Sequence, residues 1–337
     1  MSGTTTVTSA VPSDAVLAPF RSRGGHALML GHVHPDADVL GTLLALGEAL
    51  EARRWRVTYG GPHPAPGALA FLPGIERYQR LHTLEGRFDV TVLTDCPNPE
   101  RTEGLIDQAR RASATVVNID HHPDNWRYGD VNWVDVSAAA TGEVVYELLV
   151  ALGAPLTPPI ATNLFTALHT DTGSFRYSNV TPRTFRTAAA LVQAGADPAF
   201  VSEWLYERRT ADALRWLGEA LGRVEVSEDG RLAWLTLPAG SVPEKVIESE
   251  ELVNYPRSLA TVRVACLFRE SLGQVKVSLR AKGDVDVRRI AARFGGGGHP
   301  NAAGCTLAKP LAEATRVVLE AIRDALAKLP RAGAEAR

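Results

Sequence analysis

Ala114-Thr115-Val116-Val117-Asn118-Ile119-Asp120-His121-His122 decides how this chain is read. A mostly apolar, β-branched run of this length reads as a strand buried in a sheet. It ends abruptly in a carboxylate and two imidazoles. Three further clusters repeat the pattern. His32-Val33-His34-Pro35-Asp36-Ala37-Asp38 follows the short apolar run Ala27-Leu28-Met29-Leu30, and Asp95 follows Val90-Thr91-Val92-Leu93-Thr94. Asp171 stands in His169-Thr170-Asp171-Thr172-Gly173, at the end of a predicted helix. Carboxylates and imidazoles gathered this way suit hard or borderline divalent cations.

Around these clusters, strand-like and helix-like segments alternate. Apolar residues recur at helical spacing from Val39 to Arg53 (Leu40, Leu43, Leu44, Leu46, Ala49, Leu50). Arg56 to Tyr59 reads as a strand, and 101–112, 141–152, 159–169 and 182–194 read as helices. Strands separated by helices predict an α/β fold: a mostly parallel sheet with helices on both faces. In such sheets a ligand lies beyond the carboxyl ends of the strands. Clusters distant in sequence are therefore expected to meet on one rim.

After Gly222 the character changes. Short strands are predicted at 224–226, 232–237, 261–267 and 275–279, with a hairpin around Ser271-Leu272-Gly273. A helix over 287–294 leads into the run Gly295 to Gly298, and a helix from Leu311 to Leu329 follows. This predicts a smaller C-terminal α/β domain. The expected division is a flexible tail at 1–14, a catalytic domain at 15–199, a linker helix at 200–216, a second domain at 217–330 and a tail at 331–337. The active site is expected in the cleft between the two domains.

Length and composition fit this division. A chain of 337 residues, 45% hydrophobic and 22% charged, has two domains as its natural prior and is not disordered. No apolar run approaches the roughly eighteen residues that a membrane span needs. The Ser/Thr-rich start lacks the basic and apolar stretches of a signal peptide. Three scattered cysteines, Cys96, Cys266 and Cys305, argue for a reducing cytoplasm rather than a disulfide framework. Cys96, beside Asp95, reads as a small buried residue. Net charge is −2 overall and −5 over residues 1–215, which argues against a track for long nucleic acid. By contrast, nine basic residues against three acidic ones lie between Arg257 and Arg293, enough to face an anionic ligand.

A two-metal site needs a carboxylate spanning both ions, terminal ligands on each, and open positions for water and substrate. His32, Asp36, Asp38, Asp95, His121 and Asp171 supply six candidate ligands, with Asp95 the natural bridge. The mixed nitrogen and oxygen set favours two Mn²⁺, with Mg²⁺ or Co²⁺ as substitutes, and the lack of thiolates argues against structural zinc. His122 is left to act on the substrate, by binding phosphate or by protonating the leaving oxygen. Asp120 is expected to support His121 rather than bind metal. His34 is not counted as a ligand. Singly, each acid could be a helix cap and the His pair a polar surface. Jointly, buried carboxylates without cations would be costly. The run Gly295 to Gly298 would let backbone N–H groups approach a phosphate closely, and His299 adds a donor. No Gly-Lys-Ser/Thr follows, so it is not a P-loop.

With these motifs in order, the chain resembles the DHH phosphoesterase family, whose triplet is Asp120-His121-His122. Its C-terminal Gly-Gly-Gly-Gly-His-Pro-Asn-Ala-Ala-Gly resembles the signature of the DHH-associated substrate-binding domain. The resemblance covers about residues 15–329. It implies that His32, Asp36 and Asp95 hold one Mn²⁺, and that Asp38, Asp95, His121 and Asp171 hold the other. It also implies substrate contacts from Arg280, Gly297, Gly298 and His299. Length and domain content are similar to the small members of the family. Those hydrolyse very short RNA oligonucleotides and convert 3′-phosphoadenosine 5′-phosphate (pAp) to AMP. The implied partners are short RNA and small nucleotides, with no membrane; assembly as a homodimer is left open. Alternatives that share the motifs are a cyclic or linear dinucleotide phosphodiesterase and a RecJ-like single-strand exonuclease. The exonuclease would be expected to carry further nucleic-acid-binding modules. A non-catalytic RNA-binding or metal-sensing protein is the alternative of a different class.

Overall fold

The computed structural model describes residues 11–242 and 252–328. The expected tail at 331–337, and most of that at 1–14, lie outside them; Asp14 opens a short helix, α1 (Asp14–Leu17). Two compact units divide the chain, Met1–Arg208 and Arg209–Arg337. Among the described residues no helix is long and apolar enough to cross a membrane.

The first unit is built on six strands: β1 (Gly25–Leu30), β2 (Trp55–Gly61), β3 (Tyr78–Arg80), β4 (Phe88–Thr94), β5 (Ser113–Asp120) and β6 (Val131–Val134). Their order is β3-β2-β1-β4-β5-β6, and every pairing is parallel. Side chains alternate across the sheet, as the strand period requires. Ala27 and Met29 face the core shared with α2 (Ala37–Glu51). Leu28 and Leu30 face the opposite core with Leu105, Ile106 and Ala109 of α3 (Leu105–Ala112). Helices therefore cover both faces. α4 (Thr141–Ala151) and α5 (Pro158–Asp171) join α2 on its side, and α6 (Pro182–Gln193) and α7 (Pro198–Tyr206) follow. Chain order runs outward from β1 in one direction and from β4 in the other. The gap above these two strands is where such sheets open for a ligand.

Two expectations shift. The helix predicted over 101–112 is a 3₁₀ turn (Pro99–Thr102) and then α3, separated by Glu103 and Gly104, both left-handed (φ 49° and 83°). The linker helix predicted over 200–216 is two helices. α7 ends at Tyr206, and Thr210, whose hydroxyl accepts from the Ala213 amide, caps a new helix, α8 (Ala211–Leu221).

The second unit has one six-stranded sheet in the order β11-β12-β10-β9-β8-β7. Its strands are β7 (Glu225–Val226), β8 (Leu232–Leu237), β9 (Val264–Ser271), β10 (Gln274–Ala281), β11 (Gly297–His299) and β12 (Ala302–Leu307). Only β8 and β9 run parallel; the other pairs are antiparallel. A short helix, α9 (Asn254–Ser258), precedes β9. Val275, Val277 and Leu279 of β10 face α10 (Val287–Ala292) and α11 (Leu311–Ala327), while Ala265 and Leu267 of β9 pack with Ala220 on the other face. The predicted hairpin is β9–β10. Leu272 and Gly273 (φ 50° and 74°) take the two left-handed positions that a type I′ turn demands.

Gly41 fixes how closely α2 and α5 pack: a Cβ there would lie 2.4 Å from the Asn163 carbonyl oxygen. In an open helix Gly→Ala gains about 1 kcal/mol. Here backbone must move, so Gly41→Ala is expected to destabilise by about 1–3 kcal/mol. Urea unfolding checks the sign.

Candidate active site

The loops after β1, β4 and β5 and the C-terminal end of α5 carry the predicted acids and histidines of the first unit. Asp95 lies at their centre. It follows β4 directly, in a left-handed conformation (φ 54°) that non-glycine residues rarely adopt, and its amide donates to the Ile119 carbonyl of β5 (3.0 Å). Its carboxylate is 3.8 Å from His32 Nε2, 3.4 Å from His121 Nε2 and 3.5 Å from His122 Nδ1. Three sets of side chains in this unit could each hold a metal ion, with ligand atoms within 4.8 Å of one another: His32, Asp36 and Asp95; Asp38, Asp95 and His121; and Asp95, Asp120 and His122. Asp95 belongs to all three, and the first two consist of predicted ligands alone.

Each ligand candidate is fixed by the fold. His32 is fully buried; its Nδ1 donates to the Val33 carbonyl (2.7 Å), so Nε2, which makes no hydrogen bond, carries the lone pair. Asp36, the exposed member, caps α2 by accepting from the Asp38 and Val39 amides (3.1 and 3.2 Å). It therefore combines the structural role of a cap with a place in the cluster. Asp38 accepts from the Thr141 and Gly142 amides (2.7 and 2.9 Å), the first two of α4. That positive helix end favours a carboxylate. His121 Nδ1 donates to the Ala138 carbonyl (3.2 Å), which turns Nε2 toward Asp171 (3.3 Å), Asp95 and Asp38 (3.8 Å).

Asp120 bonds to both histidines of the triplet. One carboxylate oxygen accepts from the His121 amide (2.7 Å), the His122 amide (3.1 Å) and His122 Nδ1 (2.8 Å); the other accepts from Asn125 (2.5 Å). It steadies His121 through the backbone, but the ring it holds is that of His122. With four donors on two oxygens, it has little left to offer a metal.

The electrostatics show what this cluster lacks. Burial, with Asp95 and Asp171 nearby, pushes the Asp38 carboxyl well above the usual carboxylate range. Burial also pushes Asp95 up, but the His122, His121 and His32 imidazoles outweigh it and hold Asp95 well below that range. His121 is driven well above the ordinary imidazole range by Asp171 and Asp95, against the effect of its burial. These opposed shifts mark a cluster of carboxylates that a divalent cation would balance. The buried Nε2 of His32 and the oxygen-rich donor set fit such a cation.

Sequence reasoning missed several contributors. Thr141 donates its hydroxyl to Asp95 (3.0 Å), and Asn179 bridges the Ala139 and Asp171 carbonyls (2.9 and 3.1 Å). The signal was the run of small residues Ser137-Ala138-Ala139-Ala140 before a helix start, which lets backbone approach closely.

In the second unit, Arg280 of β10 and His299 of β11 both pair with Ala302 of β12. Residues directly opposite one another on paired strands share a face, so Arg280 and His299 flank the small Ala302 in one row. Arg280 donates from Nη1 to its neighbouring Leu279 carbonyl (3.0 Å), and its buried Nε has no partner. The glycine run is partly a strand. Gly297 and Gly298 lie in β11, and a Cβ on Gly298 would meet the Ala302 oxygen at 2.6 Å. One on Gly296 would meet the Gly304 oxygen at 2.1 Å. Hairpin packing therefore accounts for these two glycines whatever they bind.

A family model described as "DHH family, N-terminal domain" matches residues 26–168, and the DHHA1 domain model matches 244–328. The bifunctional oligoribonuclease and PAP phosphatase NrnA of Thermus thermophilus is 36% identical over 303 residues, 90% of each chain. The Bacillus subtilis protein of the same name is 30% identical, covering 82% of this chain and 87% of its own. Among solved structures, an exopolyphosphatase-related protein from Bacteroides fragilis shares the fold, with TM-score 0.83 at 24% identity, covering 94% of this chain and 98% of its own.

The raised Asp38 and His121 groups set a pH dependence. A group whose folded pKa is raised contributes stability below its unfolded pKa and loses it as pH rises through the folded one. The metal-free centre should therefore weaken toward alkaline pH, while a cation, which must displace these protons, binds better there. The gain in Tm from saturating Mn²⁺ should be larger at pH 8 than at pH 5.5 by differential scanning fluorimetry; an equal gain would sink the assignment of these groups.

Proposed function

The chain belongs to the DHH family of phosphoesterases, and we propose that it hydrolyses very short RNA oligonucleotides to mononucleotides and pAp to AMP. The carrying observation is that Asp95 is common to three candidate metal triads, two of them built only from predicted ligands. The relatives named for these two activities, one of them 36% identical, support the choice of substrate.

His32, Asp36 and Asp95 would hold one cation, and Asp38, Asp95, His121 and Asp171 the other. Two Mn²⁺, or Mg²⁺ or Co²⁺ in their place, would supply an activated water and neutralise charge on the phosphate. The protein's own groups do the rest. Asp38 and His121 are held from behind by the α4 amides and the Ala138 carbonyl, so their geometry is set before substrate arrives. His122 keeps its Nδ1 proton on Asp120, which aims the ring. Burial lowers its basicity, but Asp120 and Asp95 outweigh burial and keep the ring above the ordinary imidazole range. A ring that holds its proton more tightly than an ordinary imidazole is suited to giving Nε2–H to the departing oxygen. Arg280 and His299 act on the nucleotide's phosphate. The acidic first unit offers no cationic track for a long strand.

The test is purified protein with Mn²⁺ and a panel of pAp, dinucleotides, cyclic dinucleotides and RNA of increasing length. Rates should fall as the oligonucleotide lengthens; comparable hydrolysis of long single strands would exclude this reading. His121→Ala should cost more than the roughly 10–100-fold of an outer-shell change. Arg280→Ala should raise KM for pAp roughly tenfold with little change in kcat, as the loss of a charged hydrogen bond of about 1.5–3 kcal/mol implies.

A further inference from the structure

Residues 135–142, from the end of β6 into the first turn of α4, are not among the predicted metal ligands, yet their backbone bonds to Asp38 and His121 and a side chain among them bonds to Asp95. The Ala138 carbonyl accepts from His121 (3.2 Å), and the Thr141 and Gly142 amides donate to Asp38 (2.7 and 2.9 Å). The Thr141 hydroxyl donates to Asp95, and Asn179 ties the Ala139 carbonyl to that of Asp171. The segment is anchored to the Asp120-His121-His122 loop where the Asp135 amide donates to the Asp120 carbonyl (2.9 Å).

One cation braces this segment at both ends. Arg183, in the first turn of α6, is 4% exposed, a burial that arginine tolerates only when paired. Its Nη1 donates to Asp135 (2.7 Å), at the segment's start. Its Nε and Nη2 donate to the two oxygens of Glu147 (2.9 and 2.8 Å), in α4, and Nε lies 3.6 Å from Glu143. Glu143 in turn accepts from the Ala139 amide (3.1 Å), and Asp135 from the amide and hydroxyl of Ser137 (3.0 and 2.6 Å). The planar guanidinium thus spans from Asp135 to α4, with the segment looped between. A lysine, a point charge with no fork, could reach one end or the other.

We propose that Arg183 is a positioning residue for the metal centre: by clamping Asp135 to Glu143 and Glu147 it fixes the 135–142 segment, whose backbone orients Asp38 and His121 and whose Thr141 hydroxyl orients Asp95. The inference rests on the two-metal reading and extends it to a residue that touches neither ion nor substrate. Its signature is metal affinity, because a slack segment would let the ligands spread without altering substrate contacts.

The test is calorimetric titration of the metal-free full-length protein with Mn²⁺ alone, alongside thermal unfolding. Arg183→Met leaves three carboxylates facing no cation and is prone to misfold. Arg183→Lys and Asp135→Asn, both milder, therefore carry the comparison. Folded Arg183→Lys and Asp135→Asn should show the apparent Mn²⁺ dissociation constant raised roughly 10–100-fold. The Mn²⁺ needed for half-maximal activity should rise in parallel, with KM for pAp at saturating Mn²⁺ within twofold of wild type. Folded variants that bind Mn²⁺ like wild type would overturn the positioning role. Wild-type protein that binds no Mn²⁺ would instead overturn the two-metal reading beneath it.

Discussion

The structure turns on charge crowding at one point of a parallel sheet. Asp95 projects from the end of β4 among His32, His121 and His122, with Asp38 and Asp171 close behind His121. Buried carboxylates repel one another and lose hydration, a cost that the imidazoles offset for Asp95 but that leaves Asp38 well above the usual carboxylate range. The chain accepts the cost because the site lies above β1 and β4, where the strand order diverges and the helices part. It also imposes a left-handed backbone on Asp95, a kind of strain that persists only where the surroundings over-determine it. Here they do: the β5 carbonyl of Ile119 holds the Asp95 amide, and Thr141 holds its carboxylate.

Protons and cations compete for this cluster. In the protein alone, Asp171 and Asp95, 3.3 and 3.4 Å away, favour a proton on His121 against its burial, which is a weak form of charge neutralisation. A divalent ion does the same work with more charge and needs the imidazole lone pair free. The Ala138 carbonyl prepares for that exchange. By taking the Nδ1 proton it fixes the tautomer whose Nε2 can ligate, whatever the protonation state.

Much of this was legible in the sequence, for a physical reason. Strand ends are marked by a change from apolar to polar, and His32, Asp38, Asp95 and His121 each lie just past such a change. Side-chain chemistry at element ends is what a sequence displays. The 135–142 segment was harder to read, because apart from the Thr141 hydroxyl its bonds to the ligands come from carbonyl and amide groups that every residue possesses. Arg183 and Asp135 were hidden likewise: a single Arg and a single Asp, 48 residues apart, carry no pattern until the fold buries them together. β3 and β6 were missed because three or four residues are too few to show alternation. The glycine run was legible as special, but its cause is mixed. Close strand pairing alone requires Gly296 and Gly298, so their presence cannot by itself identify a phosphate cradle.

The triplet that opens the reading divides its labour through one carboxylate. Asp120 could have been a ligand by its chemistry, yet it spends its oxygens on two backbone amides, one imidazole and Asn125. That choice curls the loop so that the adjacent rings lie at 74° to each other, with centroids 5.0 Å apart. Neighbouring side chains on a continuing strand would point to opposite faces of the sheet. By ending β5 in a tight, self-bonded turn, Asp120 brings both rings to the same rim: His121 toward Asp38 and Asp171, His122 against Asp120 itself. Each imidazole has its Nδ1 proton committed to a different oxygen, the Ala138 carbonyl for His121 and Asp120 for His122, which is the arrangement that the proposed division into a metal ligand and a proton donor requires.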